Sequence, residues 1–374
     1  MKMIRTFLTA AVFCTAAFLS AAGNPDSKNV IDSEYRPVPG DYWELIRREP
    51  GRWNANFRPY DPQSAEMLWS DSNLIRDVQL DVKDDKRMVT AITSLCDESG
   101  FSILIFLADP NIRKNLSEGK ARPANMFEIF FEPDDAEHSG MEHYYQFICQ
   151  AGHPYIWGVY PWLMEDRTFR TIKGWLAIDV HHRPDTEVMH IRVPWEPLFD
   201  RLPFLHGNAE NIWRLSVIRW ASTGGQTWGG NVHQQSTAGY LRFPQFTEAQ
   251  KTAIMKHLLV GAWDAFNRIL DSPRYSMMLL PVNSCGHFER DQDRFPHSFL
   301  VPAADKKFRE AVMKPMIAER SAFGAKIADF ETLPYAEREA FYKTAAPMLY
   351  NFEYDIQQAW GRWQEDFIFA GKGE

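Results

Sequence analysis

The chain has 374 residues, 45% of them hydrophobic and 24% charged, with a formal charge of −8. That composition excludes a disordered or fibrous chain, and the length allows one large domain or two modest ones whose core needs no metal or disulfide to hold it. The acidic balance excludes phosphate backbones as partners, so no nucleic acid is expected.

Residues 1–22 read as a signal peptide. Lys2 and Arg5 precede an apolar run from Phe7 to Leu19, and Ser20-Ala-Ala22 supplies the small residues for a cut after Ala22. Losing two bases and no acid makes the mature chain two charges more negative, and a periplasmic or secreted protein is expected. Cys14 lies after Ala-Val-Phe, without the small residues a lipoprotein cleavage site wants before its cysteine. No later apolar run reaches the roughly 18 residues a spanning helix needs. Cys96, Cys149 and Cys285 have no metal-ligand spacing, and in an oxidising compartment they allow one disulfide and not a framework.

Residues 23–61 form an amino-terminal extension, and residues 62–246 a β domain. Strand patterns recur at Met88-Val-Thr-Ala-Ile-Thr-Ser-Leu95, Phe101-Ser-Ile-Leu-Ile-Phe-Leu107, Met126-Phe-Glu-Ile-Phe-Phe131, Tyr144-Tyr-Gln-Phe-Ile-Cys149, Val188-Met-His-Ile-Arg-Val193 and Trp213-Arg-Leu-Ser-Val-Ile-Arg219. Asp97-Glu-Ser-Gly100 marks a hairpin turn. Alternation of apolar and polar positions with turn residues between them predicts an antiparallel β-sandwich. His153-Pro-Tyr-Ile-Trp-Gly-Val-Tyr-Pro-Trp162 reads as an aromatic loop, and His181-His182 before Arg183-Pro184 as a turn.

Residues 247–374 change period and predict a helical carboxy-terminal region. Thr247-Glu-Ala-Gln250 has the form of a capping box. Ile254, Leu258, Ala262, Phe266 and Ile269 then recur on one helical face, as do Phe341, Ala345, Met348, Phe352, Ile356, Trp360, Trp363 and Phe367. Pro347 is expected to start or kink its helix. Pro281 to Pro302 reads as a long irregular connection.

The strand series resembles the carbohydrate-binding module family 9-like sandwich, a relative of the DOMON domains. The resemblance lies in Met126-Phe-Glu-Ile-Phe-Phe-Glu-Pro-Asp-Asp135, Tyr144-Tyr-Gln-Phe-Ile148, Met189-His-Ile-Arg-Val-Pro-Trp195, Trp213 to Arg219, and the closing Thr227-Trp228, His233 and Gly239-Tyr-Leu-Arg-Phe243. Met189 stands where that family commonly has an acid. The resemblance spans residues 62–243 and implies a non-catalytic sugar-binding module, at most an accessory to a glycoside hydrolase.

Sugar recognition needs flat apolar faces against pyranose C–H bonds and polar groups for the hydroxyls. Trp157, Tyr160 and Trp162 supply the first, with Trp228 as the second half of the tryptophan clamp that the resemblance implies. Arg219, Asn231 and His233 are the expected hydroxyl partners. The same tryptophans would also serve as core, and Arg219 as a loop support. Trp195, Trp213 and Trp220 read as core. Asp134 and Asp135, in the acidic turn, are candidate ligands of a structural calcium, a cation that takes six to eight oxygens. The partner expected is a polysaccharide or oligosaccharide.

Two alternatives stand beside this. A haem-binding DOMON-type electron-transfer domain would draw on Met141, His143, Met189 and His190. A ligand-free scaffold would engage a partner protein through the helical tail, although burial against its own sandwich is the commoner fate of such a stripe.

Overall fold

The structure is a computed structural model and describes residues 30–42, 58–59, 89–108, 126–133, 144–150, 153–162, 177–182, 186–205, 211–221, 224–228, 239–271, 276–277, 299–300, 308–356, 358–359 and 362–363. The signal peptide, Asp134, Asp135, Met141, His143, Asn231, His233, Cys285, Trp360, Phe367 and most of the connection from Pro281 to Pro302 lie outside these residues.

All six expected strands form. They are β3 (Val89–Asp97), β4 (Gly100–Ala108), β5 (Met126–Glu132), β6 (Tyr144–Gln150), β9 (Thr186–Pro194) and β10 (Ile212–Ala221). Six more complete the set, namely β1 (Val30–Tyr35), β2 (Arg58–Pro59), β7 (His153–Trp162), β8 (Ala177–His182), β11 (Gly224–Trp228) and β12 (Gly239–Arg242). Two readings are corrected here. The aromatic stretch read as a loop is β7, and the histidine pair read as a turn closes β8.

Among the described residues these twelve strands form one sheet, with the path β7-β6-β5-β10-β12-β1-β3-β4-β9-β8 and with β11 and β2 beside β10. The expected antiparallel sandwich is corrected to a curled mixed sheet. The cause is β1, which lies in the segment read as an extension. Its first half pairs in parallel with β12 (Val30 with Tyr240) and its second half in parallel with β3 (Ser33 with Ser94). One strand thus sews two antiparallel halves together, and at the far ends β7 comes back against β8.

The β3–β4 hairpin closes on two residues, Glu98 and Ser99. The Asp97 carboxylate accepts the Ser99 N–H at 2.9 Å and Arg192 Nη2 at 2.8 Å. A Cβ at Gly100 would lie 2.3 Å from the Val193 carbonyl oxygen, so only glycine lets β4 approach β9 there.

The helical region follows as expected. In α1 (Glu248–Asp271) the capping box is reciprocal: the Gln250 N–H donates to Thr247 Oγ1 at 3.2 Å, and the Thr247 N–H to Gln250 Oε1 at 2.9 Å. A short pair, β13 (Ser276–Met277) and β14 (Phe299–Leu300), precedes a π-helical turn at Arg309–Met313, then α2 (Lys314–Ser321), α3 (Phe323–Ala328) and α4 (Tyr335–Tyr350). The helix α4 runs from Tyr335 through Pro347, so the proline does not start it. Ile254, Leu258, Ala262, Phe266, Ala345, Phe352 and Ile356 are buried in the same apolar cluster as Phe101, Trp195, Trp213 and Leu241 of the sheet. No helix among the described residues is long and apolar enough to cross a membrane.

Two outcomes are expected. A chain ending at Phe246 exposes the sheet side of this shared cluster and aggregates instead of giving a soluble monomer, as size-exclusion chromatography would show. Gly100→Ala pushes a methyl into backbone and lowers unfolding free energy by about 1–3 kcal/mol in urea melts, the usual cost of overpacking.

Candidate functional site

Residues directly paired across strands share a face, and the faces alternate along each strand. In β10 one parity holds Trp213, Leu215, Val217 and Arg219, all buried inside the curl, and the other holds Arg214, Ser216 and Ile218, which are buried as well, and Trp220, which is half-buried. Register carries the second parity outward through the neighbouring strands. Ser216 pairs with Phe130, Phe130 with Gln146, and Gln146 with Tyr160. The next row runs Thr227, Ile218, Glu128, Ile148 and Gly158. Trp162 stands opposite Tyr144 at the start of β6.

This second face of the β7-β6-β5-β10 half is where polar and aromatic residue types collect. Trp220 is half-buried, and its indole N–H donates to Glu128 Oε1 at 2.8 Å, which corrects its reading as core. At the other end of the face, Arg214 Nη1 lies 3.7 Å from Glu132 Oε2 and both side chains are buried. A pair so placed has lost its water, and at this distance the attraction between the two charges recovers only part of that cost.

Two of the residues expected to bind sugar are not available for it. Trp228 pairs with Val217, takes the core parity and is 1% exposed inside the apolar cluster, so neither face of its indole meets solvent. Arg219 is 0% exposed. Its guanidinium donates to Thr90 Oγ1 at 2.7 Å and to the Ala108 carbonyl at 3.3 Å, and the Thr90 hydroxyl donates to Gln226 Oε1 at 2.8 Å. It therefore ties β10 to β3 and β4 across the interior. The parity of Trp213-Leu215-Val217-Arg219 was the signal in the sequence that would have placed it.

The other expected residues divide by place. Tyr160 and Trp162 belong to β7 at positions two apart. Trp157 sits where the β6–β7 register shifts, between Gly158, paired with Ile148, and Ile156, paired with Cys149, so it is the extra residue of an irregularity. Trp195 and Trp213 are core as expected, at 0% and 1% exposure. Cys96 is a free thiol that burial pushes up to about 12, which makes it a poor nucleophile.

For haem, Met189 and His190 are successive in β9 and so face opposite ways. Met189 is inside the apolar cluster, while His190 Nε2 lies 2.9 Å from Ser102 Oγ and its ring meets the edge of Tyr42 at 5.3 Å. They cannot ligate one iron together. Among the described residues no group of three His, Cys, Asp or Glu could hold a metal ion.

No protein-family model matches the chain, and no curated protein matches it. Solved structures are similar to it, among them the following three. One is a carbohydrate-binding module family 9 from Caldicellulosiruptor kristjanssonii in complex with glucose, at 12% identity and TM-score 0.34, covering 58% of this chain and 97% of that one. Another is a module of the same family and organism in complex with cellotriose, at 14% identity and TM-score 0.35, with 58% and 95% covered. A third is described as a carbohydrate-binding protein of Bacteroides uniformis, at 11% identity and TM-score 0.33, with 57% and 97% covered.

Burial sorts the tryptophans by experiment. Trp228→Ala is expected to lower unfolding free energy by about 3–5 kcal/mol, the cost of emptying a large aromatic site. Arg219→Met leaves the Ala108 carbonyl without this donor and costs about 1–3 kcal/mol. Both are read by denaturant unfolding of the full chain.

Proposed function

We propose that this chain is an exported, non-catalytic carbohydrate-binding protein that holds glycan by aromatic stacking. The observation that carries the reading is the half-buried Glu128–Trp220 pair on the second face, whose parity Gln146, Tyr160 and Trp162 share by register. Phe130 and Ser216, in the same row as Gln146 and Tyr160, are 0% exposed and are not proposed as contacts. Pyranose rings need flat aromatic surface beside amide and carboxylate groups, and these residue types meet on this face. The stacking residues proposed are Tyr160, Trp162 and Trp220, with Gln146 and Glu128 for the hydroxyls. Trp157, Asn231 and His233 remain proposed contacts. Trp228 and Arg219 drop out because the interior holds them. Asp134 and Asp135, which follow the buried Glu132, remain proposed ligands of a structural calcium. The signal-peptide pattern supports a periplasmic or secreted location.

The test is a glycan array on the full mature chain, followed by calorimetric titration with cellotriose and glucose and an absorption spectrum of the same sample. Trp162→Ala and Trp220→Ala are expected to keep the wild-type circular dichroism and weaken glycan affinity at least tenfold, a loss of about 1.4 kcal/mol. No glycan bound anywhere on the array would sink the proposal, as would full affinity in both variants. A Soret band would favour the haem reading instead.

A further inference from the structure

The segment that joins β9 to β10 lies between the sheet and the helices, and it is fastened on both sides. Trp195 donates its indole N–H to the Asp97 carbonyl at 2.9 Å and its backbone N–H to the Ser99 carbonyl at 3.2 Å. A single helical turn, Glu196–Leu198, follows. Phe199 then stacks on Tyr350 with ring centres 4.7 Å apart, and its carbonyl accepts the Tyr342 hydroxyl at 2.6 Å. Between these fastenings, His257 Nε2 of α1 lies 3.1 Å from Glu196 Oε1, each side chain 37% exposed.

The ionisable groups around this contact come from four elements. The β3–β4 turn brings Asp97 and Glu98, and the joint itself brings Glu196 and Asp200. From α1 comes Lys256, which lies 3.7 Å from Glu331, and from α4 come Tyr342 and Tyr350. Asp97 is already answered: burial would raise its carboxyl, but hydrogen bonds from Arg192 and Ser99 outweigh this and hold it below the usual range. Burial keeps both tyrosines neutral by raising them, and the Glu196 charge adds to this. Glu196 Oε2 is buried and has no hydrogen-bond partner among the described residues. The imidazole of His257 is therefore the group placed to answer the Glu196 charge.

We propose that His257 and Glu196 form a proton-dependent latch between the sheet and the helical region, closed when the imidazole is charged and slack when it is neutral. The hydrogen bond to Glu196 raises His257 above its ordinary 6.5 against the opposing effect of burial, and the charges of Glu196, Glu98 and Asp97 add to the rise. A folded-state value above the unfolded one contributes stability in full below about pH 6.5, and that contribution is lost as pH rises through the raised folded value. The latch thus holds in mild acid and loosens in base. What loosens is the seat of α1 against the sheet, where Ile254 and Leu258 enter the shared apolar cluster.

The experiment is a proton NMR titration of His257 in the full chain, with amide exchange of residues 195–200 and α1 compared at about pH 5.5 and about pH 8.5 after correction for intrinsic rates. In the wild type, His257 is expected to titrate above 6.5, and protection of the joint should fall several-fold from acid to base while that of β4 stays level. Glu196→Gln should lower the pH at which the imidazole titrates and flatten the change in protection. His257→Gln should flatten it too. Titration at or below 6.5 in the wild type would overturn the latch, and so would an unchanged pH dependence in His257→Gln. Should Glu196→Gln fail to fold, those two measurements decide. None of them involves glycan, so the latch and the sugar-binding proposal fail separately.

Discussion

The ring of Phe101 is the contact on which the rest of the molecule depends. Phe101 comes from β4, and its centroid lies 5.9 Å from Phe131 of β5, 5.5 Å from Trp213 of β10, 5.4 Å from Trp195 after β9 and 5.6 Å from Phe243 after β12. Phe131 and Trp213 also stack on each other at 5.8 Å, nearly parallel, and Trp213 meets Phe243 edge-on at 4.8 Å. Each such pair contributes about 0.5–1.5 kcal/mol beyond the area it buries. The interlock joins both halves of the sheet, the turn into the joint segment and the approach to α1. It also decides which parity of β5 and β10 looks inward, because a shift of one residue would exchange the two faces.

The polar residues of β5 and β10 are arranged around that choice. With Phe131, Trp213 and Val217 inside, Glu128, Glu132, Arg214 and Trp220 must take the other face, where a carboxylate and an indole end side by side. Arg219 has the inward parity and is the exception. Its charge is tolerated at the interior end of β10 because a hydroxyl and a carbonyl from the opposing half accept its hydrogen bonds. Such a group contributes little net stability, but it makes one alignment of the two halves better than its neighbours.

The helices are not an appendage to this arrangement. Phe246, just before the capping box, meets Tyr35 of β1 at 5.9 Å and Phe204 at 5.4 Å, so the strand that sews the sheet together also touches the entry to α1. Arg320 reinforces the bundle from within. It is buried, donates to the Met348 carbonyl at 2.8 Å and to Asp355 at 2.5 Å, and lies over the Phe352 ring. The stripe that a scaffold reading would offer to a partner is spent, over its described length, on the protein's own core.

Local order was legible in the residues themselves. Six strands, the two-residue hairpin at Asp97–Gly100 and the capping box at Thr247–Gln250 follow from alternation, turn chemistry and short-range hydrogen bonds, which a window of a few residues contains. The aromatic richness that suggests sugar was also written in the sequence. The role of β1 was not, since Val30-Ile-Asp-Ser-Glu-Tyr35 finds its partners more than 60 positions away in β3 and some 210 away in β12. Nor was the fate of each tryptophan. Trp220 and Trp228 have the same side chain in one β-hairpin, yet pairing with Met126 and Gly225 puts the first on the polar face, while pairing with Val217 puts the second in the core. Residue type sets what a side chain is able to do. Strand register, which long-range packing alone decides, sets whether it meets the solvent in which to do it.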